Sequence, residues 1–159
     1  MRGDGPSTVT ASLTLSIMPD APAVRQALRD ALGQPPLDTL DDDLRGTAEL
    51  ILAELLNNIV EHGHCRLGDP IRLHIHQSMQ GIFCTLCDGG MPLPDARPPL
   101  GRFPETDASG YPAEGGYGWY LVRALAENLT YTRNPGENLL SFELRSKQNA
   151  ASRGPEHQT

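Results

Sequence analysis

Residues 54–64, ELLNNIVEHGH, close the most apolar run of the chain, which opens as AELILAELL at Ala48. Ile51, Leu52, Leu55, Leu56, Ile59 and Val60 recur at the three- and four-residue spacing of a helix with one buried face. Glu54, Asn58 and His62 recur on the same stretch every four residues, so they share one arc, with successive members about 6 Å apart along the axis. The spacing predicts a helix over about residues 43–62, stopped by the C-terminal glycine signal of Gly63. The polar ladder fits two readings, the solvated side of an amphipathic helix or a row of groups facing a ligand.

On the N-terminal side, residues 8–17 (TVTASLTLSI) alternate apolar and hydroxyl side chains, the period of a strand with one buried face. A helix follows Pro19, with Asp20 as its cap, Val24, Ala27, Leu28, Ala31 and Leu32 as its apolar stripe and Gly33 as its stop. Residues 34–43 (QPPLDTLDDD) read as a linker. On the C-terminal side, DPIRLHIHQSM and IFCTLC form a hairpin about a turn at Gln80-Gly81. Residues 91–116 are rich in proline and glycine and lack periodicity over a span too long for an ordinary loop. GYGWYLVRALAENL then reads as a helix with Leu121, Val122 and Leu125 on one face, and LTYTR-NPGE-NLLSFEL as a closing hairpin. Residues 1–7 and the tail 146–159 are expected to be disordered, leaving one domain over 8–145. Strands grouped in hairpins predict an α/β (α+β) two-layer sandwich, a mixed, mostly antiparallel sheet with helices on one face.

A chain of 159 residues that is 38% hydrophobic suits one core. A formal charge of −7 with only 13 Lys and Arg argues against direct nucleic-acid binding. The absence of a long apolar run argues against a membrane span, and a soluble cytoplasmic protein is expected. Cys65, Cys84 and Cys87 form no even-numbered disulfide framework, so free thiols in reducing surroundings are expected. Cys84 and Cys87 lie three apart on a strand and point to opposite faces, which disfavours a shared zinc ion despite the nearby histidines.

Two further stretches carry chemistry. Asp88 ends an apolar strand and precedes Gly89-Gly90, so its oxygens can accept from a flat ligand such as adenine, although Asp-Gly-Gly also makes an ordinary turn. Residues 115–118 (GGYG) stand before a helix, where backbone N–H groups can seat a phosphate or simply cap a flexible loop. The preceding proline- and glycine-rich segment is a candidate lid.

Taken in order, the helix with Glu54, Asn58 and His62, the strand end with Asp88, Gly90 and Pro92, and the loop with Gly116, Gly118 and Leu121 resemble the N, G1 and G2 boxes of the GHKL ATP-binding superfamily. Within it the chain most resembles the anti-sigma-factor serine/threonine kinases. The resemblance implies a Bergerat-type ATP-binding fold and a magnesium-dependent kinase that phosphorylates an anti-anti-sigma protein. It also implies a sigma factor as second partner and frequent homodimerisation. Glu54 would be the catalytic base and Asn58 the magnesium ligand. His62, Asp88, Gly90, Pro92, Gly116, Gly118 and Leu121, with Asn58, would form the ATP site, Asp88 taking the adenine amine, Gly90 admitting the base, and Gly116 and Gly118 contacting phosphates. The lid cations Arg97 and Arg102 match no phosphate-contacting position of the family. Asn138 is a candidate to reach the base through water, and Cys84 or Cys87 a candidate wall of the adenine pocket. A catalytically inactive, ATP-binding partner-switching adaptor is the alternative function.

Overall fold

The computed structural model describes residues 11–66, 68–79, 81–101 and 117–147. The expected disordered ends fall largely outside them, as do Arg102, Gly115 and Gly116. The order is β1 (Ala11–Ile17), α1 (Ala21–Leu32), α2 (Asp42–His62), β2 (Ile71–Ser78), β3 (Gly81–Asp88), α3 (Tyr117–Leu125), β4 (Glu127–Asn134) and β5 (Glu137–Arg145). The strands form one sheet in the order β1-β2-β3-β5-β4, and all four described pairings are antiparallel. The two-layer α/β sandwich expected from the strand pattern is the fold.

Helices α1 and α2 start where short polar side chains satisfy free backbone donors. Asp20 Oδ1 accepts from Ala23 N at 2.8 Å, and Asp41 Oδ1 from Leu44 N at 2.8 Å. At the other end of α2, Gly63 is not the left-handed residue that a C-terminal glycine signal implies. It keeps a helical φ of −73° and donates to Ile59 O, and His64 takes the positive φ of 47°. The turn that leaves α2 is thereby made by a histidine that also lines the cavity described below.

Alternation along the strands sorts the two faces. The row Leu15, Leu73, Leu86, Leu140 and Tyr131 crosses all five strands on the side of the helices. Beneath α2 it meets Ile51, Leu52, Leu55 and Leu56, all essentially buried, with Phe142 on β5. The neighbouring row on the other face is polar, Thr14, His74, Thr85 and Ser141, with Thr14 Oγ1 2.7 Å from His74 Nδ1. A sheet with one apolar and one polar face leaves the period-two signal that made its strands readable.

Three segments depart from the sequence pattern. Residues 34–43 are not a free linker: a 3-10 turn at Leu37–Thr39 places Leu37 wholly in the core. The third helix ends at Leu125, so Val122 is buried but Leu125 is 40% exposed, and Glu127 already belongs to β4. β4 shifts register between Glu127 and Thr130, where Asn128 has a φ of 51°. Among the described residues no helix is long and apolar enough to cross a membrane.

Candidate functional site

Two adjacent cross-strand rows make the floor of a cavity of about 530 Å³. One is Leu86, Leu140 and Tyr131; the other is Asp88 and Asn138, continued beyond the cavity by Arg133 on β4. The second half of α2 forms one wall with Leu55, Asn58, Ile59 and His62. The segment after β3 forms another with Met91, Pro92, Leu93 and Pro99, and Trp119 of α3 closes the far side. A mostly apolar cleft of this size with a few converging polar groups suits a small organic ligand.

Asp88 is held at the polar end. It is 8% exposed, and its Oδ1 accepts from Gly90 N and from Asn138 Nδ2, both at 2.9 Å, with Cys65 Sγ at 4.0 Å. Among the described residues its Oδ2 accepts no hydrogen bond. A nearly buried carboxylate with one oxygen fixed and one unpaired is an acceptor for a donor supplied from the cavity. Gly90 has no side chain for a reason internal to the protein: a Cβ there would overlap the carbonyl oxygen of Gly63. That carbonyl accepts from Met91 N at 2.6 Å, which ties the end of α2 to the strand exit.

On α2, the side-chain nitrogen of Asn58 is buried without a hydrogen-bond partner among the described residues. A buried amide nitrogen without a partner is costly, and the same residue lines the cavity. Rotation about its last torsion exchanges oxygen for nitrogen, so the position can serve a donor or a cation. His62 lies at the rim, its side chain 76% exposed. One turn before Asn58, the carboxylate of Glu54 lies against Gly118, where a Cβ would overlap Oε2. Gly118 therefore gives the Glu54 carboxylate access to the start of α3.

The structure thus brings Asn58, His62, Asp88 and Pro92 to one cavity, with Gly90 buried beneath it and Glu54 and Gly118 in contact nearby. Leu121 is half-buried and does not line the cavity, and Gly116 lies outside the described residues. Arg97 points away, exposed and 3.9 Å from Asp95. Neither strand cysteine is a cavity wall: Cys84 is buried in the core, its pKa pushed up by burial, and Cys87 faces the opposite side. Cys65 is the thiol next to Asp88; burial, and then the charges of Asp88 and Asp69, raise its pKa. Among the described residues no group of three His, Cys, Asp or Glu is placed to hold a metal ion.

Asn138 has a different place from the one expected. Its nitrogen donates to Asp88 Oδ1, to Met91 O at 2.9 Å and to Gly90 O at 3.4 Å. Its oxygen accepts from Tyr131 Oη at 2.6 Å and Arg133 Nη1 at 2.9 Å. With every donor and lone pair engaged by protein, it has no capacity left for a water bridge to a ligand. Tyr131 and Arg133 belong to no motif of the sequence, yet the short turn at Pro135-Gly136 places Asn134 opposite Glu137 and hence Arg133 opposite Asn138. Counting back from that turn was the signal that could have found them.

A sequence profile of the histidine kinase-like ATPase domain matches residues 18–144. No curated protein matches the chain. Among solved structures, the crystal structure of the RsbU and RsbW domains of a Mycobacterium tuberculosis protein aligns with a TM-score of 0.57 at 15% identity. The alignment covers 86% of this chain and 32% of that one, and the likeness is one of fold.

Proposed function

The chain belongs to the histidine kinase-like ATPase domain family, and from that premise we propose that it is an ATP-dependent protein serine/threonine kinase acting as an anti-sigma regulatory factor. In this reading it phosphorylates an anti-anti-sigma protein and sequesters a sigma factor by partner switching. The observation that supports it is the Glu54 carboxylate resting on Gly118 at the start of α3, one helical turn from the orphaned amide of Asn58. A carboxylate beside an anion seat works against nucleotide binding by charge repulsion, and it has a use if a hydroxyl proton must be removed there. The same contact favours a second reading, an ATP-binding adaptor without transfer, because a carboxylate at a helix N-terminus stabilises that helix by about 0.3–1 kcal/mol with no chemistry at all.

The residues present fit an adenine nucleotide with magnesium. Asp88 Oδ2 would take the exocyclic amine of the base, and the apolar wall from Leu55 to Trp119 would cover its ring. Asn58 would contribute one amide oxygen to Mg²⁺, in keeping with an ion that retains several waters and takes few protein ligands. Bound magnesium would supply neutralisation of the phosphate charge. Glu54 would orient and deprotonate the incoming serine or threonine hydroxyl, and the cavity walls would exclude water from the transfer.

The reading is tested by incubating the full chain with γ-labelled ATP, Mg²⁺ and a candidate anti-anti-sigma protein. Label on a serine or threonine of that partner is the expected result; nucleotide binding and partner binding without label would give the case to the adaptor. Asn58→Ala is expected to abolish the magnesium dependence of ATP binding in a calorimetric titration. Equal wild-type affinities with and without Mg²⁺ would remove the metal role of Asn58.

A further inference from the structure

Asp88, Asn138 and Arg133 stand opposite one another on β3, β5 and β4, a single cross-strand row that ends at the edge strand. Arg133 does not line the cavity, yet its Nη1 donates to Asn138 Oδ1 at 2.9 Å and to Gly90 O at 2.8 Å. We propose that Arg133 is a positioning residue for ligand recognition: acting through Asn138, it sets the Asp88 carboxylate so that Oδ2 is offered to an exocyclic amine of the ligand. The inference rests on the adenine-nucleotide reading of the same cavity.

Donor and acceptor sense decide how Asn138 sits between Asp88 and Arg133. The Tyr131 hydroxyl accepts from Leu93 N at 3.0 Å and has its own proton for the Asn138 oxygen, and Met91 O, which only accepts, takes the Asn138 nitrogen; Arg133 adds a charged donor to the same orientation. A guanidinium only donates. Its presence on that side requires the amide oxygen there and sends the nitrogen to Asp88 Oδ1. A reversed amide would set its oxygen against the carboxylate, and Asp88 would have to turn away from its present geometry. The second bond of Arg133, to Gly90 O, holds the backbone whose N–H fixes the same Oδ1. Both anchors of Asp88 thus lead to one side chain on β4.

The test compares ADP with purine riboside 5′-diphosphate, which carries hydrogen in place of the 6-amino group. Calorimetric affinities are measured for wild type, Arg133→Met and Arg133→Lys. Wild type is expected to prefer ADP by roughly 10–100-fold, the effect of a hydrogen bond to a charged group. Arg133→Met is expected to weaken ADP binding by about 3–10-fold and the analogue by less than about two-fold, so the preference narrows. Arg133→Lys keeps a donor-only group and is expected to restore part of the preference, which covers the case of a Met variant too unstable to titrate. Equal losses for the two ligands, or an unchanged ADP affinity in a folded variant, would overturn the inference and leave the nucleotide site standing. Wild-type protein that binds neither ligand would overturn both.

Discussion

Glu54→Gln is expected to slow phosphotransfer by about 10²–10⁴-fold while ATP affinity stays within about two-fold of wild type. The carboxylate makes no hydrogen bond or ion pair among the described residues, and its contact is with Gly118, whose missing side chain leaves it room. The amide is nearly the same shape, so the contact survives while the base is lost. Because the substitution removes a negative charge near the expected phosphate position, any change in affinity should be towards tighter binding. If Glu54 serves only to stabilise the start of α3, the outcome inverts: a slightly lower melting temperature and an unaltered transfer rate.

Asp88→Asn is expected to weaken ATP binding by one to two orders of magnitude, the loss of a charge-assisted hydrogen bond worth about 1.5–3 kcal/mol. The substituted amide can keep its oxygen towards Gly90 N and Asn138 Nδ2, where Oδ1 now lies. Its NH₂ group then takes the place of Oδ2 and meets the amine of the base donor to donor. Turning the amide round would instead leave Gly90 N and Asn138 facing a donor, so neither orientation satisfies both sides. Calorimetry on a variant whose melt is checked separates binding from stability. An unchanged affinity would reduce Asp88 to the acceptor of a strand-end turn.

The elements that could be read from the sequence are those whose signal is local. α2 declared itself by its apolar stripe, α1 by Asp20 and Gly33, and the strands by an alternation that survives because one face of the sheet is polar. Asp88, Asn58 and Glu54 could be singled out only through the resemblance to known ATP-binding boxes, whose short spacings on a helix and at a strand end are also local. What depends on other parts of the chain was hidden. Leu37 looks like a linker residue and is buried because a 3-10 turn folds it into the core. Leu125 has the spacing of a core residue and is exposed because α3 ends there. Gly90 is glycine on account of Gly63, a residue 27 positions earlier whose carbonyl occupies the space. The role of Arg133 exists only once three strands lie in register.

In the proposed reading an adenine nucleotide would lie with its base at Asp88 and its phosphates between Asn58 and the start of α3. Amide chemical-shift mapping of the full chain titrated with Mg-ADP tests it most directly. Saturable shifts are expected at Asn58, Asp88 to Met91 and Gly118, with the polar sheet face around Thr14 and His74 unmoved. Saturating nucleotide that shifts none of these amides, or shifts those of the opposite sheet face instead, would contradict it.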